Sequence, residues 1–144
     1  MAAVNIVLAD AQATPVNHTF VPLGPDKDGV FWWEDQSAAS PIGFWRVSYQ
    51  LKRPPVGQAG QDSTKRTFRA VIGLHEPLLE NVTNNTVSGI APAPTLSYVP
   101  RVFSEFVMPE RCALIDRKNL RKMIYNLSNE AQFVSLVESL SMPY

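Results

Sequence analysis

Lys65, Thr67 and Arg69 stand on alternate positions of the stretch TKRTFRAVIG, residues 64–73, with Phe68, Ala70 and Ile72 between them. Earlier in the chain, FWRVSYQLKRP repeats the pattern, with Arg46, Ser48, Gln50 and Lys52 on one phase and Val47, Tyr49 and Leu51 on the other. Side chains on one face of a strand recur every second residue, so a hairpin of these two segments sets the polar rows side by side. Guanidinium and ammonium groups suit phosphate oxygens, and arginine binds them in a bidentate fork. Ser, Thr and Gln can reach phosphates, ribose hydroxyls or base edges. An exposed aromatic such as Tyr98 can stack on an unpaired base. A flat sheet cannot enter the narrow major groove of A-form RNA and suits splayed-out bases. The competing explanation is a solvated sheet face, which shows the same alternation and uses Lys to blunt edges. Against it stands charge purity: Arg46, Lys52, Lys65 and Arg69 are four cations on rows that hold no carboxylate.

Those rows need a sheet, and the first half of the chain reads as strands. NIVLAD and HTFVPLG form an expected hairpin within about 1–24, with Pro22 marking the second strand as an edge or bent strand. PDKDG at 25–29 is a turn cluster. VFWWEDQ, FWRVSYQLKRP, the quoted stretch and YVPRVFSEFVM supply further strands, giving an antiparallel sheet over about 29–108 with a long loop at 80–97. A loop of that length in a compact domain is functional or mobile. The tail, about 109–142, reads as two helices. Pro109 is placed in the first turn of the first, and Leu120, Met123, Ile124 and Leu127 form its apolar stripe. Asn129 with Gln132 resembles a capping box for the second. The expected fold is therefore α+β in one domain, 1–144: an N-terminal β-hairpin, a five-stranded antiparallel meander and two C-terminal helices. Two short helices are little cover for such a sheet, and a symmetric dimer would both cover it and pair its edges.

Bulk composition narrows the classes. Hydrophobic residues make up 45% of the chain, which argues against disorder. It holds no run of 18 apolar residues, and MAAVNIVLADAQATP lacks the basic and apolar regions of a secretion signal, so neither membrane nor export is expected. The lone Cys112 fits a reducing compartment, and the Asn-X-Ser/Thr patterns at Asn17, Asn81, Asn84 and Asn126 read as chance. Net charge is zero, but residues 41–75 carry six Lys/Arg against Asp62 alone. The basic middle, rather than the total, sets the local field.

Catalysis is not expected. HEPLL is not the HExxH zinc motif, and Pro77 would break the helix that motif needs. His18, His75 and Cys112 are too few and too scattered for a convincing metal site, so no metal or cofactor is expected. Glu34, Asp35, Glu76 and Glu80 read as solvated carboxylates rather than an acid–base pair. Nucleophile elbows and phosphate-binding glycine loops are absent from the sequence. Trp32, Trp33 and Trp45 read as core or interface residues.

In order, hairpin, strands, long loop, last strand and two helices, the chain resembles the coat proteins of single-stranded RNA bacteriophages, the levivirus type. The likeness is closest from Tyr98 to Tyr144, where YVPRVFSEFVMPERCALIDRKNLRKMIYNLSNEAQFVSLVESLSMPY matches the family's strand-to-helix transition, and its layout extends to FWRVSYQLKRP and KRTFRAVIG. The resemblance implies an intertwined homodimer, helices on the outer side, an inward sheet face that packages genomic RNA, and an icosahedral shell of dimers. It also implies a virion location after assembly in the bacterial cytoplasm, a maturation protein as partner, shell contacts through the 80–97 loop, and translational repression through an RNA hairpin. Carried over by position, the RNA-binding residues would be Arg46, Ser48, Gln50, Lys52, Lys65, Thr67, Arg69 and Tyr98. Pro100 departs from the pattern in the last strand, and Val102 and Ser104 leave its row less polar than the family's. The alternative is a dimeric, non-capsid protein that binds RNA or single-stranded DNA on a β-sheet platform.

Overall fold

A computed structural model describes residues 2–81 and 92–142. Eight strands are present among them: β1 (Ile6–Ala9), β2 (Asn17–Pro25), β3 (Val30–Asp35), β4 (Trp45–Lys52), β5 (Thr67–His75), β6 (Leu78–Leu79), β7 (Leu96–Tyr98) and β8 (Arg101–Pro109). Two helices follow, α1 (Leu114–Leu127) and α2 (Ala131–Glu138). The main sheet has six strands in the order β1-β2-β3-β4-β5-β8, and β6 pairs with β7 in a separate two-stranded ladder. The α+β class is as expected. The strand count differs because the N-terminal hairpin joins the sheet, and because Pro100, which has no N–H to donate, separates β7 from β8.

Residues cluster into two units, one of Met1–Pro54 with Phe68–Val107 and one of Pro55–Thr67 with Met108–Tyr144. In the first, turn chemistry sets the register. Asp26 accepts from the N–H groups of Asp28 and Val30, each at 2.9 Å, and from Trp32 Nε1 at 2.9 Å, while Gly29 takes a φ of 74°. These bonds lower the Asp26 pKa, the Trp32 bond most. Pro22 lies within β2, not on an edge; the register shifts between Pro22 and Gly24, a bulge that accommodates the missing donor. On one face of this sheet Phe20, 1% exposed, packs with Trp33 and Val47, bordered by Ile6, Phe31, Trp45 and Leu74. Tyr49, Leu51, Ile72 and Val102 remain exposed.

The second unit departs from expectation at both helix starts. Pro109 ends β8, a turn follows in which Cys112 N–H donates to Pro109 O at 2.9 Å, and α1 begins only at Leu114. Asn129 does not cap α2: its Nδ2 donates to Tyr125 O at 2.9 Å and closes α1, while Glu130 accepts from Gln132 N at 2.8 Å as the cap of α2. Arg66 ties the preceding loop together, bonding Glu110 Oε2 at 2.5 Å, Gln61 Oε1 at 2.8 Å and Pro55 O at 2.5 Å. Neither helix has a buried residue.

Candidate nucleic-acid interface

The pairing of β4 with β5 decides which side chains share a face. Arg46 faces His75, Ser48 faces Gly73, Gln50 faces Val71 and Lys52 faces Arg69. On the other side of β4, Glu34 faces Arg46 and Trp32 faces Ser48. Directly opposed residues point to the same side. Arg46, Ser48, Gln50, Lys52 and Arg69 therefore occupy one face of one sheet, opposite the Phe20–Trp33–Val47 core. Thr67 opens β5 two positions before Arg69. Lys65 precedes the strand and closes a short 3-10 turn, Ser63–Lys65, in which Asp62 accepts from Thr64 N at 2.9 Å. Both belong to the second unit. Tyr98, 61% exposed, lies on β7 opposite Leu78, outside the six-stranded sheet. Of the expected 80–97 loop, residues 82–91 lie outside the described residues; Leu96 and Ser97 belong to β7.

The face is less purely cationic than the rows of β4 and β5 suggest. Arg46 donates through Nε at 2.9 Å and Nη2 at 2.8 Å to the same oxygen of buried Glu34. Arg69 approaches Glu105 at 3.4 Å, an exposed pair of little energetic weight. Both carboxylates come from other strands, so spacing within β4 or β5 carries no sign of them. Gln50 donates to Asp28 O at 3.0 Å.

The phase of the last strand also differs. By sequence, Pro100, Val102 and Ser104 make up the row of the last strand. In the structure, Phe103 meets Gly73 and His75, and Glu105 meets Arg69, so Arg101, Phe103 and Glu105 form that row. The reason is the break at Pro100, which ends the continuity with Tyr98 on which the other phase depended. His75, Arg101 and Phe103 are thus face residues that the row argument missed; alternation counted from Arg101 would have found the last two. His75 stands edge-on to Phe103 at 5.2 Å and 81°, with Trp32 at 5.8 Å. Burial, then the charges of Arg101 and Arg46, lower its pKa, and its Nε2 is buried without a partner among the described residues.

His18 lies on the core side. Its Nδ1 is 2.8 Å from Asp35 and its Nε2 is 3.5 Å from Asp10, and its ring stacks on Trp45 at 4.3 Å. The Asp35 bond raises the His18 pKa against the opposing effect of burial. Asp35 is pushed up by burial, but its bonds to His18 and Ser37 outweigh this and leave it lowered. Among the described residues, no group of three His, Cys, Asp or Glu is arranged to hold a metal. No helix is long and apolar enough to cross a membrane.

Comparison with known proteins bears on this arrangement. A family model described as Levivirus coat protein matches residues 1–144. The chain is similar to one in the virus-like particle of bacteriophage ESE058, with 53% identity over the whole of both chains and a TM-score of 0.92. It is similar to one in the virus-like particle of bacteriophage NT-214, with 26% identity over the whole of both chains and a TM-score of 0.82. The fold also matches an unassembled virus coat protein dimer, described as a bacteriophage RNA-binding dimer, at 21% identity, 97% and 96% coverage and a TM-score of 0.60. No curated protein matches the chain.

Proposed function

The chain belongs to the levivirus coat protein family, and from that premise we propose that its homodimers close into an icosahedral shell around single-stranded RNA. The capsid role comes with the family, whose members are structural proteins. The observation that carries the dimer is uncovered apolar surface. On α1, Leu120, Met123, Ile124 and Leu127 are all exposed, Met123 by 68%, and on the core side of the sheet so are Tyr49, Leu51, Ile72 and Val102. A chain of this size ordinarily buries far more than the three hydrophobic residues that are buried among the described ones. A second copy that lays its helices on that sheet side covers both surfaces at once, and β8, the sheet edge, pairs with its counterpart.

The opposite face then looks into the shell. On it Arg46, Lys52 and Arg69 neutralise packaged phosphates and Gln50 supplies a hydrogen bond, with Ser48 buried beneath them; Lys65 and Thr67 of the second unit and Tyr98 of β7 are further RNA contacts in the same proposal. The RNA-binding dimer among the similar structures supports this reading. Genomic RNA, a maturation protein, repression through an RNA hairpin and assembly in the host cytoplasm follow as parts of the same proposal.

Electron microscopy of the protein expressed alone tests the shell: closed particles are expected, and dimers without particles would favour the non-capsid binder. K65A with R69A tests the face. Dimers are expected to stay intact on sedimentation while RNA content falls and the salt dependence of binding flattens; unchanged RNA content would remove these residues from the interface.

A further inference from the structure

We propose that RNA binding at this face takes up a proton, and that the imidazole of His75 receives it. The proposal rests on the reading that the face binds RNA, and it adds how that binding is regulated. His75 ends β5 on the side of the cations, opposite Arg46 of β4. It lies in an aromatic seat: Phe103 of β8 stands edge-on at 5.2 Å, and Trp32 of β3 is tilted at 5.8 Å. Its Nε2 is buried and has no hydrogen-bond partner among the described residues. Buried polar atoms nearly always have a partner, so an orphaned one asks for a reason. A neutral imidazole carries one N–H and can leave its other nitrogen bare. An imidazolium donates from both, and here it sets a charged N–H where nothing accepts it.

The groups around the ring decide when the proton arrives. Burial holds it off most, then the charges of Arg101 and Arg46. The neighbouring carboxylates are engaged elsewhere. Glu34 of β3 is held by Arg46, and Glu105 of β8 lies 3.4 Å from Arg69. Glu76, next in the chain, lines a core-side cleft with His18 and Trp45. Phosphates that neutralise Arg46 and Arg101 remove the repulsion. They change the burial little, because Nε2 is already shielded from water. The imidazole then holds a proton at a pH where the empty face does not. By linkage, the face binds RNA more tightly as pH falls through the RNA-bound value. The gain is complete below the free protein's value, which lies under the ordinary 6.5.

The test uses coat dimers and a short oligouridine strand, whose bases do not titrate in the range of histidine. The chain has two histidines, so imidazole proton NMR, with H18Q to assign the signals, follows His75 directly. Its titration midpoint is expected to rise when the RNA is added. Calorimetry near pH 6 in two buffers of different ionisation heat should show net proton uptake on binding by wild type and none by H75Q. From about pH 7.5 to about pH 5.5 the wild-type affinity should gain roughly 2- to 10-fold, the larger figure matching a midpoint moved by about one unit; H75Q should show no such gain. Should H75Q fail to fold, the NMR midpoint decides, since it needs no substitution at this residue. Proton uptake that persists in H75Q overturns the assignment to His75. A midpoint unmoved by RNA, in a protein whose K65A/R69A variant binds RNA less, overturns the proton link and leaves RNA binding standing. A wild type that binds no RNA at either pH overturns both.

Discussion

His18 bridges Asp35 and Asp10 while stacked on Trp45, and so ties β2, the end of β3, the start of β4 and the loop after β1 with one imidazole. Its pKa is raised above the ordinary 6.5. A group with a raised folded pKa contributes stability that is complete below the unfolded value and is lost as pH rises through the folded one. His75 runs the other way: its lowered pKa gives a contribution present above 6.5 and lost as pH falls through the folded value. We predict that amide protection of β1 and β2, corrected for intrinsic exchange, declines from mildly acidic to alkaline pH in wild type and not in H18Q. Identical profiles would mean that His18 does not hold the hairpin. At Gly73, a methyl group collides with Ser48 Oγ. G73A should lose about 1–3 kcal/mol, with part recovered in the S48A background by a double-mutant cycle; full additivity would show that the two sites do not touch.

Between strands, one charge pair matters more than the others. Glu34 is buried and receives two Arg46 nitrogens across β3 and β4. R46A strands that carboxylate and should cost about 1–3 kcal/mol in urea unfolding, whereas R46A with E34Q should cost less. If the single and double variants unfold alike, the carboxylate is solvated by other means. Arg46 is thus partly structural, and K65A/R69A is the cleaner probe of the proposed RNA binding. Element types were legible where periodicity was strong, as in β4, β5 and the Leu120–Leu127 stripe of α1. Element ends were not. Pro109 and Asn129 have local chemistries that fit a helix start, yet each closes the element before it, because a proline also suits a strand end and an asparagine amide also reaches a helix's last carbonyls.

For the molecule as a whole, exposed apolar surface and function are one question. M123E puts a carboxylate on the exposed apolar face of α1. A second copy seated there cannot tolerate it, so sedimentation should show monomers and microscopy no particles; intact particles would locate the dimer contact elsewhere.

Alternation and helical spacing, which are local properties, determined the α+β class, the polar row of β4 and the apolar stripe of α1, while Lys65 of the expected β5 row falls in the turn before that strand. Only the tertiary structure decided what stands beside those rows. Glu34, Glu105, Phe103 and His75 reach the face from other strands or from the strand's far end, through strand order and register. No spacing within one segment encodes a neighbour that arrives across a sheet, so the charge balance and the aromatic seat of the face emerge only once the chain has folded.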